Sequence, residues 1–212
     1  MDKFIAVIDY GLGNLRSVAK ALEAVGAQVK VTAGAKDIDS AAAIVLPGVG
    51  AFKSAMENLE RLDILPALLK VVKQGRPFLG ICLGLQVLFS ESEEHGRHKG
   101  LGLLEGKVKK FPAGVKIPHM GWNSVEVTSH KSQVTSINAQ LFRDVPQGSY
   151  FYFVHSYYVQ PQDKTLIAAT TVYGREFTSA IHKDNIWGLQ FHPEKSAELG
   201  LKILENFYRD VD

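Results

Sequence analysis

The sequence predicts an α/β fold: an open, mostly parallel mixed sheet flanked by helices, with an added antiparallel β layer. Apolar runs of strand length alternate with helical patterns over residues 4–90, and strands joined by helices form parallel sheets. Over residues 101–192, short β-rich runs follow one another with turn residues between them, which is typical of antiparallel strands. Because no linker, repeat or low-complexity tract interrupts the chain, we expect one domain over residues 1–212.

The elements of the first half are predicted from apolar spacing. Strands are short apolar runs, and helices carry apolar residues three or four positions apart. Strands are predicted over residues 4–8, 28–32, 43–46 and 77–81. Helices are predicted over residues 14–25, 51–62, 65–74 and 83–90.

The second half is predicted to be mostly β-structure until a final helix. Strands are predicted over residues 106–111, 122–127, 149–154, 166–172, 177–182 and 186–191. Ser196, a residue type that caps helix N-termini, precedes the last helix. Its apolar stripe consists of Leu199, Ile203, Leu204 and Phe207.

Composition and charge argue against several classes of function. The formal net charge is +2 and the basic residues are scattered, so charge predicts no nucleic-acid partner. Because no apolar stretch is long enough to span a bilayer and no signal-peptide pattern is present, we expect no membrane contact and a cytoplasmic protein. The single cysteine excludes an intramolecular disulfide and a Cys-based metal cluster. The sequence predicts neither a cofactor nor a metal site.

Cys82 lies where a predicted strand meets a predicted helix, within Gly80-Ile81-Cys82-Leu83-Gly84. This spacing is that of a nucleophile elbow with sulfur in place of oxygen. A helix N-terminus favours a thiolate, and the N–H of Leu83 can point at a developing oxyanion. The alternative is a buried structural cysteine, but the strand–turn–helix context favours a nucleophile.

The loop Pro47-Gly48-Val49-Gly50 follows the preceding parallel strand. Its backbone could lie beside Cys82 and supply the second donor of an oxyanion hole. An ordinary strand-to-helix turn explains this loop equally well.

His192 is the histidine best placed to activate Cys82. It stands two residues before Glu194, across Pro193, and the proline disfavours helical backbone at His192. Side chains two apart in an extended chain point the same way, so Glu194 can hold one imidazole nitrogen while the other faces the thiol. A surface His-Pro-Glu turn would be the simpler interpretation of the tripeptide alone. Its occurrence together with Cys82 favours a catalytic pair.

The other histidines carry weaker predictions. His155 could be a half-buried histidine or part of a substrate wall. We predict that His95 and His98 lie in a polar loop and that His130 and His182 lie on the surface, and we assign no role to these four or to His119.

Three markers resemble those of the class I glutamine amidotransferases, in the same order. They are Pro47–Gly50, residues 80–86 around Cys82, and His192-Pro193-Glu194. Further segments are similar to the family's glutaminases that serve the cyclase of histidine biosynthesis: residues 9–15, 118–123, 154–158 and 192–196. The resemblance spans nearly the whole chain and implies the flavodoxin-like fold of that family.

The resemblance implies a reaction and a set of roles. Cys82 attacks the side-chain amide of L-glutamine to give a glutamyl thioester, His192 is the base, and Glu194 orients His192. The implied oxyanion hole consists of Leu83 N–H and the backbone of Val49 and Gly50. The residues expected to hold glutamine are Gly48, Gln86, His155, Ser156 and Tyr157.

The resemblance also implies a partner. Ammonia would pass to a separate (β/α)8-barrel cyclase subunit in a heterodimer, and the cyclase makes imidazole glycerol phosphate and aminoimidazole carboxamide ribotide.

The loop Gly11-Leu12-Gly13 lacks the third glycine of a dinucleotide-binding loop, because Arg16 stands in its place. It is therefore predicted to be a tight turn that lines a site or an interface, and not a nucleotide cradle. The expected interface residues are Gly11, Asn14, Met120, Trp122 and Asn123.

Other functions remain open at this point. The chain could be the glutaminase subunit of another synthase, such as one for pyridoxal phosphate or anthranilate. It could also be a cysteine hydrolase of another class, acting on peptides or esters, or a non-catalytic module that keeps the scaffold. Stimulation by one particular synthase would identify the partner. Activity on glutamine rather than on peptides or esters would identify the substrate, and loss of that activity in Cys82→Ala would exclude a non-catalytic module.

Overall fold

The structure is a computed structural model that describes residues 3–128 and 140–211. The prediction for His130 therefore lies outside the described residues. The helices are α1 (Leu15–Ala24), α2 (Ala35–Ser40), α3 (Phe52–Arg61), α4 (Leu65–Lys73), α5 (Leu83–Gln86) and α6 (Ala197–Arg209). The strands are β1 (Ile5–Ile8), β2 (Val29–Thr32), β3 (Ala43–Gly48), β4 (Phe78–Cys82), β5 (Phe89–Ser92), β6 (His98–Lys99), β7 (Leu104–Lys110), β8 (His119–Val127), β9 (Ser149–His155), β10 (Tyr157–Pro161), β11 (Ile167–Val172), β12 (Glu176–Lys183) and β13 (Ile186–Leu189).

The sheet has a parallel half and an antiparallel half. Strands β2, β1, β3, β4 and β13 lie side by side in that order, and every neighbouring pair is parallel. Beyond β13, the strands β12, β10 and β7 pair in antiparallel fashion. A branch through β11 leads from β12 to β8 and β9. The predicted α/β fold with an added antiparallel layer is confirmed.

Successive residues of the central strands pack on opposite faces of the sheet. Val7 and Val45 belong to one buried cluster with residues of α1 and α6. Ile8 and Ile44 belong to a second cluster with residues of α3 and α4. Because side chains alternate along a strand, helices on both faces require apolar residues at every position. This explains why β1, β3 and β4 have no polar face, whereas the edge strand β2 exposes Lys30.

The carboxyl ends of three parallel strands meet at Cys82. Gly48, the last residue of β3, lies opposite Cys82 in the strand register. On the other side, Leu189 at the end of β13 lies opposite Ile81. The loop after β3 and the segment after β13 therefore both leave the sheet next to Cys82. Ligand sites of open parallel sheets lie at this edge.

The predicted helix over residues 83–90 is wrong in its length, because only one helical turn forms. The carbonyl oxygens of Val87 and Leu88 accept hydrogen bonds from the N–H groups of Leu101 and Leu104. The chain then continues as β5, which pairs in parallel with β7. Pairing with a later segment thus outweighs the local helical pattern.

Four elements were missed by the sequence analysis. Helix α2 has a single buried apolar residue, Ile38, so it shows no stripe. Strand β10 follows β9 after only Ser156, so the two strands form one continuous β-rich run. The predicted polar loop over residues 91–99 contains the end of β5 and the two-residue β6.

Gly84 is required by close packing between α5 and β3. A Cβ at Gly84 would overlap the carbonyl oxygen of Leu46. We predict that Gly84→Ala lowers the free energy of unfolding by about 3 kcal/mol, because backbone would have to move to relieve the overlap. Denaturant unfolding measures this change.

Gly34→Ala is the matched control. A Cβ at Gly34 would lie in ordinary contact, 3.4 Å from the Thr32 hydroxyl and 3.6 Å from the Asp37 carboxylate. Its effect should stay within about 0.5 kcal/mol. Equal effects of the two substitutions would contradict the overlap at Gly84.

Candidate active site

Cys82 occupies a strained turn between β4 and α5. Its backbone has φ +54° and ψ −107°, a region that residues with a side chain rarely adopt. The turn is tight, since a Cβ at Gly80 would lie 2.8 Å from the carbonyl oxygen of Gly84. Strain of this kind persists where the surrounding structure imposes it, and it is common at functional sites.

The sulfur of Cys82 is almost buried, with 5% of the residue exposed. The side-chain Nε2 of Gln190 donates to it at 3.7 Å. The sulfur in turn lies 3.9 Å from the carbonyl oxygen of Val154, in a donor arrangement. The nucleophile predicted from the sequence is therefore held by polar contacts from β9 and from the segment after β13.

His192 and Glu194 form a buried pair beside Cys82. His192 Nδ1 lies 2.8 Å from Glu194 Oε1, and the side chains are 2% and 1% exposed. The backbone of His192 is extended, at φ −102° and ψ 97°, as Pro193 predicts. Within the described residues, Nε2 has no hydrogen bond of regular geometry, yet Cys82 acts on the imidazole at short range. The three residues singled out in the sequence are thus brought together.

Two opposing effects set the pKa of His192. Burial lowers it, but the charge of Cys82, its contact with the imidazole and the Glu194 carboxylate raise it to about 10. The imidazole is then protonated at neutral pH. Because this pKa lies above the ordinary value of 6.5, the protonated imidazole stabilises the folded state fully below pH 6.5, and that contribution is lost as the pH rises through about 10.

Ser196 does not cap α6 with its side chain, contrary to the sequence prediction. Its hydroxyl donates to the carbonyl oxygen of His192 at 2.6 Å and accepts from the N–H of Tyr152 at 3.0 Å. The N–H of His192 donates to the carbonyl oxygen of Tyr152 at 2.9 Å. Ser196 therefore fixes the backbone of His192 against β9, a role that its position before a helix did not reveal.

A cavity of about 300 Å³ opens onto Cys82. Eight of the predicted site residues line it: Val49, Gly50, Cys82, Leu83, Gln86, His155, Ser156 and Tyr157. Gly48 is not among the lining residues. It is packed beneath the cavity, where a Cβ would overlap the Tyr10 hydroxyl.

Three lining residues were missed by the sequence analysis: Glu94, Pro118 and Val154. The carboxylate of Glu94 accepts a hydrogen bond at 2.5 Å from the N–H of Phe52, which is the first residue of α3. Glu94 stands in a polar stretch with no motif, so no local signal marks it. Its place in the cavity depends on a contact between distant segments.

The residues predicted to face a partner divide into two groups. Met120 and Trp122 are 62% and 53% exposed and lie two residues apart on β8, hence on one face of the strand. Gly11 is exposed, whereas Asn14 and Asn123 are half-buried. An exposed apolar pair of this kind suits the apolar part of an interface.

The described part of the chain shows no group of His, Cys, Asp and Glu side chains that could hold a metal ion. Among the helices in residues 3–128 and 140–211, none has the length and apolar character needed to cross a membrane.

The chain belongs to the class I glutamine amidotransferase family, whose model matches residues 6–211. It is 51% identical to "Imidazole glycerol phosphate synthase subunit HisH" of Moorella thermoacetica, over 96% of this chain and 93% of the relative. It is also 51% identical to the protein of that name from Desulfitobacterium hafniense strain DSM 10664 / DCB-2, over 98% and 95% of the two chains.

Solved structures agree on the fold. A structure titled "Structure of PurLQS from Thermotoga maritima" superposes with a TM-score of 0.75, with 20% identity and full coverage of both chains. At this identity the match supports the fold alone. The chain is accordingly a glutamine amidotransferase, and its similarity to the HisH relatives guides the more specific proposal below.

We predict that the pKa of His192 depends on both of its neighbours. Cys82→Ala removes the larger raising influence and should lower the pKa below about 10, and Glu194→Gln should lower it as well. NMR titration of the imidazole measures the change. A pKa that stays near 10 in both variants would contradict the electrostatic assignment.

Proposed function

We propose that this chain is the glutaminase subunit of an imidazole glycerol phosphate synthase. It hydrolyses L-glutamine and delivers the ammonia to a cyclase subunit. The observation that carries the chemistry is the buried His192–Glu194 pair beside the strained Cys82. The relatives named for this synthase subunit, about half identical over nearly the entire chain, favour this synthase over one for pyridoxal phosphate or anthranilate.

In the proposed reaction, the Cys82 sulfur attacks the side-chain amide carbon of glutamine. The protonated His192 gives its proton to the departing nitrogen, so ammonia leaves and a glutamyl thioester remains. His192, now neutral, removes a proton from the water that attacks the thioester, and glutamate and the Cys82–His192 pair are restored. Glu194 holds Nδ1–H throughout, so that Nε2 stays available for proton transfer.

The attack on the amide and the later attack of water on the thioester each give a tetrahedral intermediate. Its negatively charged oxygen needs hydrogen-bond donors. Leu83 is the first residue of α5, so its N–H has no acceptor within the helix. Val49 and Gly50 directly follow β3, the strand beside Cys82, and also line the cavity. We assign the oxyanion hole to these backbone groups, because donors at a helix N-terminus and a glycine loop act with little reorganisation.

The cavity suits a free amino acid. Its volume of about 300 Å³ is at the small end of the range for small-molecule sites. Glu94 contributes a carboxylate that can pair with an α-ammonium group. Gln86, His155, Ser156 and Tyr157 complete the wall around the substrate side chain.

The proposed partner is a (β/α)8-barrel cyclase that covers the exposed face of β8. Met120 and Trp122 supply the apolar centre of this interface, while Gly11, Asn14 and Asn123 contribute polar and backbone contacts. The exposed face of β8 adjoins the cavity, since Pro118 lines the cavity and β8 begins at the next residue. Ammonia released at Cys82 is therefore formed close to the proposed interface.

We predict that Cys82→Ala abolishes glutamine hydrolysis while the fold is kept. The rate of glutamate formation, measured with the cyclase and its ligand present, should fall by about 10³-fold or more. Circular dichroism should show that the fold is kept, while the thermal unfolding midpoint falls, because the imidazole of His192 loses the Cys82 interaction that favours its folded, protonated form. Turnover at the wild-type rate would exclude Cys82 as the nucleophile.

We predict that Trp122→Ala weakens binding to the cyclase by about 30-fold, because a large exposed aromatic side chain acts as an interface anchor. Titration calorimetry measures the affinity. Val31→Ala is the control, since Val31 is 43% exposed on β2 at the opposite edge of the sheet. If both variants bind like the wild type, β8 is not the interface.

A further inference from the structure

A chain of side-chain hydrogen bonds extends from the exposed face of β8 into the buried site. Asn123 Nδ2 lies 3.2 Å from His119 Nε2 and donates to the carbonyl oxygen of Val172 at 3.0 Å. His119 Nδ1 lies 3.0 Å from His155 Nε2. The two histidines are directly opposite each other in the β8–β9 register. These hydrogen bonds join the proposed partner surface to the cavity wall.

The tautomers of both histidines follow from the partner of His155 Nδ1. His155 Nδ1 lies 2.8 Å from the carbonyl oxygen of Tyr157, which can only accept, so Nδ1 carries the hydrogen. Burial lowers the pKa of His155 to about 3 and that of His119 to about 4, and both rings are neutral. His155 Nε2 then accepts from His119 Nδ1–H, and His119 Nε2 accepts from the Asn123 amide.

Two buried glutamines connect the Tyr157 carbonyl oxygen to Cys82. Gln86 Nε2 donates to the same Tyr157 carbonyl oxygen at 3.0 Å and to Gln190 Oε1 at 3.2 Å. Both hydrogens of the Gln86 amide are therefore used. With its oxygen engaged by Gln86, the Gln190 amide has one orientation, and Nε2 faces the Cys82 sulfur at 3.7 Å.

We propose that Gln190 is a positioning residue for Cys82, held by Gln86. Gln86 shares the Tyr157 carbonyl oxygen as acceptor with His155, where the hydrogen bonds from Asn123 and His119 end. The sulfur receives one hydrogen bond from an amide of fixed direction. That bond stabilises the thiolate and points its remaining lone pairs toward the cavity.

Burial makes this contact effective. Gln190 is fully buried and Gln86 is 5% exposed, so water does not compete for the amide hydrogens. A donor to an ionised sulfur is worth more than a neutral hydrogen bond. Gln190 does not line the cavity, so it acts on glutamine only through its two partners, Cys82 and the lining residue Gln86.

The test removes the donor while every lining residue is kept. Gln190→Met keeps the length of the side chain and removes the N–H, together with the Oε1 that accepts from Gln86. The pH at which iodoacetamide alkylates Cys82 at half its maximal rate should rise by about one unit. The described ionisable groups that interact with Cys82 or share its cavity are unchanged: His192, Tyr10, Glu94, His155 and Tyr157.

Steady-state kinetics give a second measurement. With the cyclase present, kcat for glutamine should fall about tenfold. KM should change less, because no lining residue is substituted and Gln86 keeps its hydrogen bond to Tyr157. Ser179→Ala is the control, since Ser179 is fully buried and its carbonyl oxygen accepts from the N–H of Gln190. It perturbs the same place in the core without touching the donor and should leave the alkylation profile unchanged.

A measurement on the unmodified Gln190 covers the case in which Gln190→Met fails to fold. The side-chain amide resonances of Gln190 are compared by NMR in the wild-type protein and in Cys82→Ala. A clear shift of one amide proton is expected, because the sulfur is its acceptor. A wild-type alkylation profile in Gln190→Met, or identical amide resonances in Cys82→Ala, would overturn the proposal.

The inference rests on the proposed function only for the kinetic measurement. If the chain hydrolyses no glutamine with any cyclase, the proposed function fails, while alkylation and NMR still report on the contact between Gln190 and the sulfur. If turnover is normal but the alkylation profile of Gln190→Met equals that of the wild type, the proposed function stands and the role of Gln190 is lost.

Discussion

The parallel pairing of β4 with β13 is the contact on which the rest of the site depends. It places Gly188 opposite Gly80 and Leu189 opposite Ile81, so the chain leaves β13 directly beside Cys82. His192 and Glu194 are far from Cys82 in sequence, and this pairing brings them to it, with β9 holding the backbone of His192. Because the strands are buried on both faces, the register is firmly set: a slip of one residue would exchange the two faces of β13.

Burial then determines what the three groups can do. The His192–Glu194 pair has little access to water, which by itself disfavours a charged imidazole but strengthens its interactions with Glu194 and Cys82. These interactions outweigh the cost of burial and hold the proton on His192. Burial keeps His119 and His155 neutral, because no acidic group of the described residues offsets it. Two kinds of histidine therefore lie close together: one charged and proposed to transfer protons, and two uncharged and suited to passing on a fixed hydrogen-bond direction.

Much of the fold and the central residues of the site could be predicted from the sequence because their signals are local. The G-x-C-x-G spacing marks a strand-to-helix turn, and Pro193 forces an extended backbone at His192. What was missed depends on contacts between distant segments. Glu94 enters the cavity through its bond to Phe52, Ser196 binds the backbone of His192 instead of capping α6, and Gln190 meets Cys82 only after β13 has paired.

The most direct test of the account uses an electrophilic analogue of glutamine, such as its diazoketone, which alkylates a nucleophile that attacks the amide position. The complex with the cyclase is treated, and the modified peptide is identified by mass spectrometry as glutaminase activity is followed. We expect one analogue per chain, attached to Cys82, with activity lost in proportion to modification. Full loss of activity with Cys82 unmodified would contradict the account.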